Sequence, residues 1–250
     1  MRRAPMPPPG PALVTVAHGS RDPRSSAAIR ALVDRIPGAR VSFLDLSRPL
    51  LTDELRAVHA EGHTSAVVVP LLLGSAYHAR VDLPALVTQA PRGLEVSISD
   101  ILGHGPVLEE VALDRLAATG ADLDDASLGV VVAAVGSSHA PANAAVARLA
   151  RRWEARHGFL TAPAFAGRTA GDRPDVLAAV ARLRARGARK IAVASWFLAP
   201  GLLPDQVAAE ADRAAQAPVA APLAPDARIA ALVSRRYSEA VRTSVAARSA

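Results

Sequence analysis

Short apolar runs alternate along the chain with longer segments in which apolar residues recur at helical spacing. The first run, ALVTVA at residues 12–17, precedes a helical pattern at 25–36 that ends at Pro37-Gly38. Continuous apolar strands that alternate with helices are typical of parallel sheets with helices on both faces, so the pattern predicts an α/β fold. We predict strands at 12–17, 41–46, 66–73, 94–101, 128–135, 162–166, 191–197 and 219–223. We predict helices at 25–36, 50–61, 106–118, 144–157, 175–186, 204–216 and 227–247, and the start of a further helix at 82–88.

The same pattern starts again in the second half of the chain. A polar, turn-rich segment at 118–127 separates a first domain at 12–122 from a second repeat at 128–250, and a proline-rich lead-in at 1–11 is expected to be disordered. Four segments keep their order in both halves, which favours a duplicated unit over chance similarity. In this alignment His18 faces Val135, Asp45 faces Ala166, and His78 faces Leu202.

Three ionisable residues of the first half lie where the second half has apolar residues. They are His18, Asp45 and His78, which lie at the ends of the first three predicted strands. Because the carboxyl ends of parallel strands meet at one edge of a sheet, we expect these side chains to converge. Two imidazoles and a carboxylate suit Fe²⁺, Co²⁺, Ni²⁺ or Zn²⁺. Each residue alone could be a solvated loop residue or a cap, but their joint loss in the second half predicts one functional site in the first half.

Composition narrows the classes of function. The 250 residues include no cysteine, which excludes disulfides and thiolate metal sites and fits a cytoplasmic protein. The net charge of +6 could favour an anionic partner, but aromatic residues make up only 3% and no run of five or six basic residues occurs, so we expect no nucleic-acid binding. No apolar stretch of about 18 residues lacks charge and proline, so we also expect no membrane span.

Four motifs carry a resemblance to a known family. They are HGSRDP at 18–23, FLDLSRPLL at 43–51, VVVPLLLGSAYHARVDLP at 67–84 and LGHGPVLEEVALDRL at 102–116. With these motifs the chain resembles the sirohydrochlorin chelatases, the CbiX/SirB branch of the class II chelatases. The resemblance implies two flavodoxin-like repeats facing across a cleft. It also implies insertion of Fe²⁺ or Co²⁺, or of Ni²⁺ in some members, into sirohydrochlorin for siroheme or cobalamin synthesis.

The resemblance also implies roles for the three residues. His18 and His78 match the two family histidines, and Asp45 lies where the family usually has glutamate, which shortens the reach by one methylene. We expect His18 to be the main base, with His78 and Asp45 helping to deliver the metal and take up protons.

Further residues in the same loops are candidates to hold the substrate. Arginines in these loops could pair with the carboxylates of the tetrapyrrole, and two serines could also bind it. These candidates are Arg21, Arg48, Arg80, Ser20 and Ser75. The metal is a substrate, and no organic cofactor is expected because the chain has no P-loop or Rossmann fingerprint. A monomer or a homodimer is expected.

Two other functions remain open. The chain could be a non-catalytic carrier of metal or tetrapyrrole, an alternative kept open by aspartate at position 45. It could instead bind phosphate with Gly19-Ser20 at a helix N-terminus. A serine hydrolase is disfavoured because the AVGSSHA segment around Ser137 lacks the G-x-S-x-G elbow.

Overall fold

Two parallel β-sheets surrounded by helices organise the residues that the computed structural model describes, 10–74, 82–167 and 173–248. The strands are β1 (Ala12–Ala17), β2 (Arg40–Phe43), β3 (Ser65–Pro70), β4 (Glu95–Ile98), β5 (Leu128–Val135), β6 (Leu160–Ala166) and β7 (Lys190–Trp196). The helices are α1 (Pro23–Val33), α2 (Leu51–Ala60), α3 (Leu83–Val87), α4 (Pro106–Ala117), α5 (Ala140–His157), α6 (Val176–Ala185), α7 (Leu202–Ala215) and α8 (Ala227–Arg248). The predicted α/β class is therefore confirmed. No helix in the described ranges combines the length and apolar character that a membrane span requires.

The first sheet has the strand order β2-β1-β3-β4, and all its pairings are parallel. Its central strand β1 is buried at every position, as expected for a strand with neighbours on both sides and helices on its faces. Val14, Val16 and Val68 pack with Leu51 and Leu55 of α2 in the core of this sheet. The order places the carboxyl ends of β1 and β2 side by side.

The second sheet repeats this arrangement with the order β6-β5-β7. Its core joins apolar residues of β5 and β7 to the buried faces of α6 and α7, including Val131, Val193, Leu183 and Val207. Strand β6, whose composition gives a weak signal, is paired with β5 along its whole length from Leu160 to Ala166.

The predicted strand at 219–223 is wrong as a continuous strand. Val219 forms a single bridge to Val193, and the backbone then follows β7 without a regular ladder. Pro218 and Pro222 explain the difference, because proline has no N–H to donate to a neighbouring strand. The strand predicted at 41–46 also ends early, at Phe43, so Asp45 lies in the loop that follows β2.

The chain divides into two compact units that differ from the predicted division at 122–128. Unit 1 comprises the described residues of 1–103 and 227–250, and unit 2 comprises those of 104–226. Helix α8 packs on β3, β4 and α1 of unit 1, whereas α4 packs on β7 of unit 2. The two repeats have therefore exchanged their last helices, so that each sheet is covered by a helix from the other half of the sequence.

Polar contacts fix α8 in unit 1. The hydroxyl of Tyr237 donates to the carbonyl of Pro11 at 2.5 Å, and Arg236 Nε donates to the carbonyl of Ile101 at 3.2 Å. Both acceptors are backbone oxygens, so these contacts tie the helix to the chain just before β1 and just after β4.

A buried carboxylate fixes α4 in unit 2. Glu109 accepts hydrogen bonds from Arg152 Nη2 at 2.6 Å and from the indole Nε1 of Trp153 at 3.1 Å, both on α5. A buried charge needs such partners to offset the loss of water. Trp153 is fully buried and meets Trp196 edge-on, with ring centroids 6.3 Å apart.

His104, at the start of unit 2, stacks on Trp196 with ring centroids 5.5 Å apart. In the part of the chain that the structure describes, its buried Nδ1 atom has no hydrogen-bond partner. Burial lowers the pKa of His104, and the positive charges of Arg152 and Arg148 lower it further, against the opposing effect of Glu109.

This lowered pKa predicts a pH dependence of stability. Because the ordinary pKa is 6.5 and the folded value lies below it, the unfolded chain binds the proton more readily. We expect the contribution of His104 to be complete above pH 6.5 and to be lost as the pH falls below it. Thermal melts from about pH 7.5 to about pH 5.5 should show the loss, and His104→Phe, which keeps an aromatic ring on Trp196, should reduce it. Equal losses in both proteins would contradict the assignment to His104.

Candidate functional site

The ends of β1 and β2 place His18 and Asp45 at the same edge of the first sheet. His18 directly follows β1, and Asp45 lies two residues beyond Phe43, the last residue of β2. Backbone pairing continues past both strands, because Leu44 N donates to Ala17 O at 2.9 Å and Asp45 N donates to His18 O at 3.1 Å. The two side chains therefore emerge from neighbouring, hydrogen-bonded backbones at the carboxyl edge of the sheet, where ligands bind in open α/β folds.

Two contacts lock the loops that carry these residues. Gly19 has φ +97°, and a Cβ atom there would lie 1.8 Å from the carbonyl oxygen of Asp45, so only glycine fits. Ser20 N donates to Ser47 Oγ at 3.0 Å, and Ser47 Oγ donates to Ser20 O at 2.9 Å. The loop after β1 and the loop after β2 are thus held together on both sides of Asp45.

His18 and Asp45 are spaced as two ligands of one cation. His18 Nδ1 and Asp45 Oδ1 are 3.4 Å apart, and the side chains are 46% and 55% exposed. With metal–ligand bonds of about 2.1 Å, the 3.4 Å separation corresponds to an angle of about 108° at the metal, close to tetrahedral. The same distance also allows electrostatic attraction between an imidazolium and the carboxylate. The two atoms are therefore close enough for one divalent ion to contact both.

The other residues predicted for the site have different outcomes. His78, Ser75 and Arg80 lie outside the described residues, so their roles stay predictions. In the described ranges no group of three His, Asp or Glu side chains is placed to hold a metal ion. The structure thus brings together two of the three predicted ligands, His18 and Asp45.

Arg21, Arg48 and Ser20 lie in the two locked loops. Arg21 is exposed in the loop after β1. Arg48, which is 77% exposed, donates from Nη1 to Asp53 Oδ2 at 3.0 Å. Ser20 Oγ accepts the N–H of Asp22 at 3.1 Å, which gives this hydroxyl a structural role in the loop. Their contacts with a substrate stay predictions.

The matched positions of unit 2 are apolar. Val135 and Ala166 are paired neighbours across β5 and β6, as His18 and Asp45 are neighbours in unit 1. Val135 is 51% exposed and Leu202, at the start of α7, is 72% exposed, whereas Ala166 is buried. None of these side chains can bind a metal ion or accept a proton.

The loop after β5 has the same backbone turn as the loop after β1, but a different residue accepts the hydrogen bond that anchors it. His139 N donates to Ser137 Oγ at 3.1 Å, which repeats the contact between Asp22 N and Ser20 Oγ at the same distance. Ser137 N, however, donates at 3.0 Å to the amide oxygen of Asn143, a buried residue of α5. In unit 2 the hydrogen bond from Ser137 N therefore ties this loop to its own helix, α5.

Two further residues of this site could not be identified from sequence reasoning. Ser47 bridges the two loops, and Leu46 exposes its side chain beside Asp45. Neither residue type signals a site by itself. The glycine directly after His18 is the sequence feature that indicates a close approach of two backbones here. The structure shows that the backbone it approaches is that of Asp45.

Comparison with known proteins identifies the family. The CbiX family model matches residues 12–119 and 129–240, which together cover most of the chain and both repeats. A sirohydrochlorin cobaltochelatase of Priestia megaterium is 27% identical over 200 residues, which cover 75% of this chain and 64% of that protein. A sirohydrochlorin ferrochelatase of the same organism is 28% identical over 131 residues, 48% of this chain and 49% of that protein. The matched part of this chain therefore spans 64% of the length of the first relative and 49% of the second.

A solved structure shows the same fold. SirB from Bacillus subtilis with Fe³⁺ superposes with a TM-score of 0.77 at 20% sequence identity, covering 94% of this chain and 96% of that one. The family model matches both repeats, and the two-repeat α/β architecture with the His18–Asp45 pair at its strand ends agrees with this match. The chain belongs to the CbiX family.

Proposed function

We propose that this protein is a sirohydrochlorin chelatase that inserts Fe²⁺ or Co²⁺ into the metal-free tetrapyrrole. The observation that carries the proposal is the His18–Asp45 pair, whose 3.4 Å spacing suits two ligands of one divalent ion. The pair lies in a chain of the CbiX family, and the two relatives in Priestia megaterium are named as cobaltochelatase and ferrochelatase of sirohydrochlorin. His78, which the family resemblance gives as the second histidine, would complete the ligand set.

The pair can exchange a metal ion for a proton. A free-base tetrapyrrole carries two pyrrole N–H protons, and both must leave as the divalent ion enters. When the ion moves from His18 and Asp45 to the pyrrole nitrogens, the imidazole lone pair becomes available to accept one of these protons, and the other leaves to the water that reaches this half-exposed site. The resulting imidazolium stays within 3.4 Å of the Asp45 carboxylate, which stabilises its charge. Metal delivery and proton removal would thus occur at the same atoms.

Arginines at the same edge could hold the carboxylates of the substrate. Arg21 and Arg48 lie in the two loops that carry His18 and Asp45. Arg48 is mostly exposed and keeps donor atoms besides the Nη1 that binds Asp53, so it can share its charge with a second carboxylate.

The structure disfavours the phosphate-binding alternative. An anion at the N-terminus of α1 would have to bind the amide groups of the first turn. Asp22, the residue before α1, already accepts the N–H of Arg24 at 2.9 Å with its own carboxylate. Its negative charge would repel a phosphate group at this position.

A metal-insertion assay tests the proposal. Purified protein is mixed with sirohydrochlorin and with Fe²⁺ under anaerobic conditions, or with Co²⁺ or Ni²⁺, and the change in the absorption spectrum is followed over time. We expect a rate well above that of the uncatalysed reaction for at least one of these ions. Tight binding of tetrapyrrole or metal without faster insertion would identify a carrier and would contradict the proposal.

A substitution series at Asp45 tests its role as a ligand. Asp45→Ala should lower the insertion rate by about 10- to 100-fold, because the site loses an anionic ligand. Asp45→Glu should stay within about threefold of the wild type, because it keeps the charge and adds one methylene of reach. The side chain is more than half exposed, so thermal melts should be similar for all three proteins. Equal rates in Asp45→Ala and the wild type would show that Asp45 is not part of the site.

A further inference from the structure

Leu46 combines two unfavourable features at one position. It has φ +54°, in the left-handed region that leucine rarely adopts because Cβ crowds the backbone carbonyl. Its side chain is also 54% exposed, and it is the one strongly exposed large apolar residue among the described residues of unit 1.

The contacts around Leu46 impose this conformation. Ser47 N donates back to Asp45 O at 2.5 Å, which closes a tight turn around Leu46. The residues on both sides are fixed, because Asp45 N binds His18 O and Ser47 Oγ binds Ser20 O. The turn that positions the Asp45 carboxylate therefore also directs the leucine side chain away from the core.

Neither feature serves the fold of unit 1. An asparagine or glycine would adopt the left-handed conformation at lower energy, and a polar side chain would be better solvated there. Strained residues that the surrounding structure holds in place cluster at functional sites, where the strained side chain itself has a function. The function must use an apolar side chain directly beside the His18–Asp45 pair.

We infer that Leu46 contacts the face of the tetrapyrrole ring and holds it over the metal pair. This inference rests on the proposed function. For the ion to pass from His18 and Asp45 to the pyrrole nitrogens, the centre of the ring must lie over these two residues. The conjugated face of the ring is apolar, so contact between this face and the exposed Leu46 side chain removes apolar surface of both from water and favours binding. The arginines bind the charged periphery, whereas Leu46 binds the uncharged face.

The test is Leu46→Asn, with Leu177→Asn as the matched control. Asparagine has nearly the shape of leucine and accepts the left-handed conformation, so the turn and the melting temperature should be preserved. Leu177 is 46% exposed and lies in the first turn of α6, in unit 2. We expect Leu46→Asn to raise KM for sirohydrochlorin about tenfold, which equals about 1.4 kcal/mol, with kcat little changed. Leu177→Asn should leave both constants unchanged, and Leu46→Met should restore a low KM.

Binding of metal-free sirohydrochlorin, followed by its fluorescence, separates this inference from the proposed function. If the wild type inserts metal and Leu46→Asn has the same KM and the same affinity, the inference is overturned and the proposed function stands. If the wild type binds the tetrapyrrole without inserting metal, and Leu46→Asn binds it more weakly, the contact is supported and the chelatase proposal fails. If the wild type does not bind the tetrapyrrole, both are overturned.

Discussion

His18→Ala is expected to lower the rate of metal insertion by roughly 100-fold or more. The substitution removes both a metal ligand and the group that accepts a pyrrole proton, and Asp45 cannot replace both functions. The His18 side chain is half-exposed at a strand end, so the melting temperature should change by no more than about 2 °C. Initial rates of insertion and thermal melts, measured on the same preparations, check both parts.

The control for this experiment is His63→Ala. His63 also belongs to unit 1, but it follows α2, between that helix and β3, at the opposite end of the strands from His18. Its loss should leave the rate unchanged. A His18→Ala protein that inserts metal at nearly the wild-type rate would refute the mechanism proposed for the pair.

Gly19→Ala is expected to disrupt the same site through the backbone. A Cβ atom at this position would lie 1.8 Å from the carbonyl oxygen of Asp45, so one of the two loops must move. The loss of stability should be about 3 kcal/mol or more, since a backbone clash is added to an unfavourable positive φ. The insertion rate per folded molecule should fall as well, because Asp45 moves with its carbonyl group.

Gly38→Ala separates the clash from the effect of φ alone. Gly38 also has a positive φ, +72°, but nothing lies within 4 Å of the Cβ that alanine would add. This variant should lose only about 1 kcal/mol and keep its insertion rate. Similar losses of stability in the two variants would show that the loops after β1 and β2 are not tightly apposed in solution.

The regular elements could be predicted because their signals are local. Strand β1 has the predicted bounds 12–17, and β5 has the predicted bounds 128–135, because uninterrupted apolar runs specify strands buried on both faces. The strand predicted at 219–223 was wrong because its apolar residues are typical of a strand, whereas Pro218 and Pro222 lack the N–H group that a regular ladder needs.

The exchange of α4 and α8 could not be predicted from the sequence. An amphipathic helix shows that it covers an apolar surface, but its pattern does not say which of two similar sheets it covers. The contacts that decide the partner join residues far apart in sequence, such as Arg236 with Ile101 in unit 1. The aligned repeats therefore predict a duplicated unit, but not the sheet that its last helix covers.

The candidate site was predictable as far as strand order determines it. His18 and Asp45 meet because β1 and β2 are parallel neighbours, and the comparison of the two halves singled out both residues. The positions of Leu46 and Ser47 depend on the turn from Asp45 to Ser47 and on the close approach of Gly19, which form only when the two loops come together.

The helix exchange also has a consequence for the order of events during synthesis. Unit 2 is continuous in sequence from residue 104 to residue 226, so all of its residues are synthesised before those of α8. Unit 1 receives its last helix only after the 22 residues of α8 have emerged, although its first strand, β1, precedes all of unit 2 in the sequence. Until α8 packs on β3 and β4, part of the apolar face of the first sheet stays uncovered. The edge that carries His18 and Asp45 therefore belongs to the unit whose last helix is synthesised after all of unit 2.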